Sequence, residues 1–139
     1  MPDAIVWHGL TEFDVALEGL VDRAQAASRE AVVEAAHAAE LAMKQHAGEG
    51  GRHAQGTPTP ATPGGGPAVI SGTLRRSIRV GEIQPFGVTG YSAKVGPTAI
   101  YGRRVELEYD YPYTGPGLHD VLPLLPEIYA RVWGKAISG

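Results

Sequence analysis

Apolar positions recur at three- and four-residue steps through Phe13, Leu17, Leu20, Val21, Ala24, Ala27, Ala31, Ala35, Ala39 and Ala42. That spacing is the stripe of an α-helix and predicts one long helix from about Thr11 to His46. Thr11-Glu12-Phe13-Asp14 has the form of a capping box at its start, and Gly48 follows as a stop. At ~1.5 Å per residue the helix is roughly 54 Å long. The stripe begins with large side chains and continues mostly as alanine, which lets another element approach closely but buries little area. The expectation is therefore a helix that outruns the core and buries its Ala-rich half against a neighbouring copy.

Period two replaces period three-to-four in the middle of the chain. Arg79–Ile83 alternates, Pro85-Phe86-Gly87 punctuates, and Val88–Gly96 alternates again, with Thr89, Tyr91, Ala93 and Val95 on one face. These read as an antiparallel strand pair. Short helices flank it, over Gly72–Ser77 with Leu74 and Ile78 inward, and over Ala99–Glu106 with Tyr101 and Val105 inward. Glu106–Tyr113 alternates acids with Leu and Tyr, as an edge strand would. Thr114–Gly117 reads as a loop. A final helical stripe runs from Leu118 to Ala136, its regular part starting near residues 123–126 because proline is tolerated only in a first turn. The predicted fold class is α+β: a long N-terminal helix, a small antiparallel sheet with short helices, and a C-terminal helix.

The chain has 139 residues, a length that suits one domain spanning 1–139. Of the 19 Gly and 11 Pro, many fall between 47 and 70. That segment reads as a flexible loop with almost nothing to bury, either a tolerated insertion or a loop that orders on a partner. Ile5-Val6-Trp7 reads as an edge strand or an arm that packs on another subunit. Met1-Pro2-Asp3-Ala4 lacks the basic and apolar regions of a signal peptide, so a soluble intracellular product is expected. There is no cysteine, which excludes disulfides and thiolate metal sites.

The net charge of −3 is unevenly spread. Residues 1–46 carry eight acids against three bases, whereas residues 71–104 carry six bases against Glu82 alone. A basic middle between acidic flanks suits pairing within the fold or between copies. Nucleic-acid contact is the weaker alternative, because aromatic interleaving and a net basic charge are both missing from the sequence.

Candidate chemistry is sparse. Glu34 and His37 have the Glu-x-x-His spacing of di-iron bundles, but no second copy of it exists. Ser71, Ser77 and Ser92 lack a Gly-x-Ser-x-Gly context. No enzyme activity, cofactor or metal is expected. Tyr101, Tyr109, Tyr111, Tyr113 and Trp133 are of the types that anchor protein interfaces, and equally of the types half-buried in a domain.

One stretch resembles a known family. Pro67, then Ser71-Gly72-Thr73-Leu74-Arg75-Arg76-Ser77-Ile78, a strand pair ending Val95-Gly96-Pro97-Thr98, and Ile100-Tyr101-Gly102-Arg103-Arg104-Val105-Glu106 resemble the neck or tail-completion (head–tail joining) proteins of long-tailed bacteriophages. This chain departs from that family's pattern at Tyr101-Gly102, where Tyr-Ala is usual, and at Leu107-Glu108-Tyr109 after Val-Glu. The resemblance implies a structural protein of the virion neck, assembled in the host cytoplasm. It would form a homo-oligomeric ring of six copies that joins the head connector to the tail, with other neck, connector and tail proteins as partners and DNA passing through. Arg75, Arg76, Arg103 and Arg104 would then meet Glu106, Glu108 and Asp110 of an adjacent copy, with Tyr109 and Tyr111 in the same interface. The alternative is a DNA-contacting module that lines a channel with its basic central segment.

Overall fold

A computed structural model describes residues 10–88 and 90–138 of the chain. The apolar run at residues 5–7, Thr89 and the side chains of Thr11 and Phe13 lie outside that description. Helix α1 (Leu10–His46) is the spine. Its C-terminal end carries Lys44 and His46, which suit the negative end of the helix dipole. Helices α2 (Thr73–Ser77), α3 (Gly102–Leu107), α4 (Thr114–Val121) and α5 (Leu125–Ser138) follow. Strands β1 (Ile78–Val80), β2 (Gln84–Phe86), β3 (Gly90–Ser92) and β4 (Val95–Pro97) lie between α2 and α3. The fold is mixed α+β, as the periodicities predict.

The strands form one hairpin broken into two ladders. β1 pairs antiparallel with β4, Ile78 opposite Pro97, and β2 pairs with β3, Pro85 opposite Tyr91. Between the ladders, residues 81–83 face only residues 93–94, so the register shifts by one residue, as at a bulge. The Gly81 N–H still donates to the Lys94 carbonyl at 2.7 Å, which holds the two ladders together. Tyr91, Ala93 and Val95 face inward, as their alternation predicts, and line a gap beneath α1 with Ala36 and Ala39. Glu40 of α1 also fixes the hairpin, accepting from the Val80 N–H at 3.1 Å. The hydrogen bond from Lys44, strengthened by the Val80 contact and opposed by burial, holds the Glu40 carboxyl below its ordinary pKa.

The C-terminal helices run back along α1. Ala39, Ala42, Met43 and Ala47 form one cluster with Ile78, Tyr113 and Val121, and Ala27 and Ala31 form a second with Ile128 and Val132. Arg131 of α5 grips Glu34 of α1 through two hydrogen bonds, at 3.1 and 2.5 Å. The alanines do permit close approach, but the elements that approach are the chain's own α4 and α5. The expectation of a neighbouring copy on the Ala-rich half is thus reversed. It is the large-residue half of the stripe that has no cover: between Asp14 and Arg23 every residue but Gly19 is exposed.

Two further expectations change, while the regular part of the C-terminal helix starts at Leu125, within the expected residues 123–126. Residues 106–113 are not an edge strand. α3 runs to Leu107, and the chain then turns through Asp110, whose φ of 57° is left-handed, a conformation Asp tolerates better than most residues. The alternation there comes from a helix end followed by a turn. Thr114–Gly117 is not a loop but the first turn of α4, where Pro116 needs no amide partner. A 3₁₀ turn over Leu122–Leu124 takes up Pro123 before α5 begins.

The Gly/Pro-rich segment is also more tied down than its composition suggests. Arg52 and Val69 form a parallel bridge, with the Val69 N–H donating to the Gly51 carbonyl at 2.7 Å. Gly64 donates to the Asp110 carbonyl at 2.7 Å. Ala61, Pro67 and Val69 are buried. The segment returns on itself and packs against the end of α1, so it does have something to bury.

His46 joins this end of α1 to α4. Its Nε2 lies 2.6 Å from Asp120 and its Nδ1 2.8 Å from Glu49. Burial alone would lower its pKa, but hydrogen bonds to Asp120 and Glu49, with their charges, carry it above the ordinary 6.5. A raised folded pKa contributes stability that is fully present below pH 6.5 and lost as pH rises through the raised value. Thermal melts from mildly acidic to mildly alkaline pH should therefore show a decline that His46→Gln removes. An identical decline in that variant would contradict the role.

Candidate interaction surface

α2 begins where Gly72, at φ 79°, reverses the chain in the left-handed region that glycine adopts most easily. The reversal sets Thr73–Ser77 against residues 69–71 and places Arg75 and Arg76 beside the end of α1. A Cβ built on Gly72 would lie 3.2 Å from Arg76 Nη1, and one on Gly48 would lie 3.8 Å from Arg75 Nη1. The two guanidinium groups therefore pass close to glycines at this end of α1, while both residues stay exposed.

Two cavities adjoin there. A groove of about 440 Å³ runs between the 47–70 segment and α3, lined by Ile70, Leu74, Val105, Tyr101, Tyr109 and Tyr111 among others. A smaller cleft of about 310 Å³ is lined by Lys44, Arg52, Arg75 and Arg76. They share Val69, Ser71, Gly72 and Arg75 as a common wall. Among the described residues no acid lines either cavity. Lys44 pairs with Glu40 at 2.7 Å, whereas Arg52, Arg75 and Arg76 pair with no acid among the described residues.

The candidate interface residues therefore separate. Arg75, Arg76, Tyr109 and Tyr111 come together around these cavities. Arg103 and Arg104 line neither cavity, and Arg104 Nε sits 3.1 Å from Glu108 of its own chain, both side chains exposed. Such exposed pairs contribute little to stability. Glu106 is engaged within its own chain too: its carboxylate accepts from the Thr114 and Gly115 N–H groups, at 3.3 and 3.0 Å, and from the Thr114 hydroxyl. It caps the start of α4 from outside the helix and meets the dipole there. Glu106→Ala should destabilise the fold by about 1 kcal/mol in urea titrations, and Glu106→Gln by less because an acceptor remains. Equal midpoints for all three proteins would contradict the capping role.

Lys44 and Arg52 are the site residues that sequence reading missed. Lys44 was legible only as a helix-terminal cation, and nothing around Arg52 in a Gly/Pro-rich run marks it. Glu34 and His37 do not converge on a site, since Glu34 is held by Arg131, which keeps its carboxyl below the ordinary pKa. Among the described residues no group of three or more His, Cys, Asp and Glu is placed to hold a metal ion. Among them, too, no helix is long and apolar enough to cross a membrane. No protein-family profile, curated protein or solved structure matches the chain.

Proposed function

We propose that this chain is a structural subunit of the bacteriophage neck, without catalytic activity, that self-associates into a ring joining the head connector to the tail. The observation that carries the reading is the uncovered part of α1. The stripe that α5 covers at Ala27 and Ala31 continues bare through Leu17, Leu20 and Val21, each more than 40 % exposed. The hairpin tip adds to it: Gln25, one turn on from Val21, reaches the Val88 carbonyl at 3.5 Å, and Phe86 and Val88 are largely exposed. A bare apolar stripe continuous with a packed one marks a surface that a partner covers. The proposed occupant is a second copy. The same part of α1 carries Glu12, Asp14, Glu18 and Asp22, opposite in sign to the basic 71–104 region of a neighbour. A contact between two different patches of identical subunits closes into a ring when its rotation permits.

The mass of the purified protein in solution tests self-association. It should be a multiple of the single-chain mass, and Leu17→Glu with Val21→Glu should return it to one chain with an unchanged melting temperature. A single-chain mass at every concentration would remove the ring. Deleting the gene from its phage tests the place in the virion: heads and tails should accumulate unjoined, and normal particles would overturn the assignment.

A further inference from the structure

We infer that the two adjoining cavities form one site for a nucleotide unit, with the phosphate in the basic cleft and the base against the tyrosine-lined groove. The chemistry of each half points the same way. Lys44, Arg52, Arg75 and Arg76 come from three separate parts of the chain, α1, the 47–70 segment and α2, and converge on one cleft. Among the described residues Glu40 is the one acid paired with this set, through Lys44, and Glu49 is engaged by His46. Three guanidinium groups without carboxylate partners among the described residues suit an oxyanion, and arginine is the side chain best shaped for phosphate.

The second half narrows the class. Tyr101 and Tyr109 are 44 % and 53 % exposed, and Tyr111 is half-buried beside them along the groove. Their hydroxyls have no hydrogen-bond partner among the described residues, unlike that of Tyr113. Flat aromatic surface next to a basic cleft is how proteins hold single-stranded nucleic acid, by stacking bases while cations follow the backbone. The wall common to both cavities, at Ser71, Gly72 and Arg75, lies where the sugar would pass. A free nucleotide and a nucleotide within a single strand share this chemistry.

The full chain should be titrated with a labelled oligothymidylate, a mononucleotide and inorganic phosphate, at several salt concentrations. Binding of the oligothymidylate or the mononucleotide supports the site. The mononucleotide binding as well as the oligomer identifies the source as free nucleotide, and oligomer binding alone identifies a single strand. Tyr109→Ala should weaken that binding about tenfold. Arg75→Gln with Arg76→Gln should flatten the dependence of log affinity on log salt by about 1.4, the value for two lost contacts to a single strand. Arg52→Gln should act in the same direction, so the result does not hang on one variant's folding, which melting temperatures check. Arg103→Gln with Arg104→Gln makes the same charge change outside both cavities and should leave binding unchanged. An equal loss in that control, no effect of Tyr109→Ala, phosphate binding as tight as the nucleotide's, or no binding at low salt would each overturn the inference.

Discussion

Gly117→Val should destabilise the fold by about 3 kcal/mol or more, and even Gly117→Ala should be destabilising. In an exposed helix, exchanging glycine for alanine stabilises by about 1 kcal/mol. Here the sign reverses, because Gly117 is where α4 crosses α1. A Cβ on Gly117 would stand 2.6 Å from Met43 Cγ, 2.7 Å from Met43 N and 2.8 Å from Met43 Cα. Two of those atoms are α1 backbone, in the last turn of the helix, where the Met43 carbonyl accepts from the Ala47 N–H at 2.9 Å, and cannot swing aside as a side chain can. The helices would have to separate, opening the cluster of Ala39, Ala42, Met43 and Val121. Urea unfolding of the two variants measures the effect, and a Gly117→Ala protein as stable as the parent would show that α4 does not sit so close.

Tyr113→Ala is the second large effect, about 3–5 kcal/mol by analogy with other buried aromatic truncations. Tyr113 is fully buried, packed with Ile78, Val121 and the end of α1. Its hydroxyl donates to the Gly102 carbonyl at 2.8 Å and so ties α4 to the first residue of α3. Burial, reinforced by the Glu106 charge, raises the phenol pKa well above its ordinary value, so the donor stays protonated across the usable pH range. Tyr113→Phe separates the two contributions: it keeps the packing but strands a buried acceptor, at about 1–2 kcal/mol. If phenylalanine and alanine were equally damaging, the hydrogen bond and not the ring would hold the site. If both were silent, Tyr113 would not be part of the core.

Tyr113 also shows where sequence reading stops. In the sequence it is one of three tyrosines spaced two apart, Tyr109, Tyr111 and Tyr113, and nothing local tells them apart. One is core and two line a groove, because the left-handed turn at Asp110 breaks the alternation on which a strand assignment rests. The same limit explains Glu106. Its neighbours mark it as an exposed acid, yet it caps a helix that begins eight residues later. Capping partners are legible when they lie within the same turn, and this one is brought in by the fold.

For α1 the periodicity was correct and its consequence was not. Helical spacing identifies the stripe, but a stripe carries no information about which element covers it. The Ala-rich half receives α4 and α5 because small side chains let helices approach closely. The larger side chains of the other half, which alone would suggest a core, extend past the end of α5 and stay bare. The groove and cleft make the same point about function. In the sequence the basic residues of 71–79 and the tyrosines of 101–111 are separate stretches, and no aromatic interleaving is visible.

The sequence by itself determined the elements, through helical and alternating periodicities: a long first helix, a central hairpin, short basic helices and a C-terminal helical arm. It also determined the uneven charge and the absence of any thiol chemistry. Only the tertiary structure decided which apolar surface is core and which is bare, which acids are engaged at home, and that Lys44, Arg52 and Arg75 meet beside Tyr109. The physical reason is range. Backbone hydrogen bonding imposes its period over a few residues and can be read along the chain. Burial and charge pairing are settled between residues far apart in sequence, by how closely the helix backbones can pack.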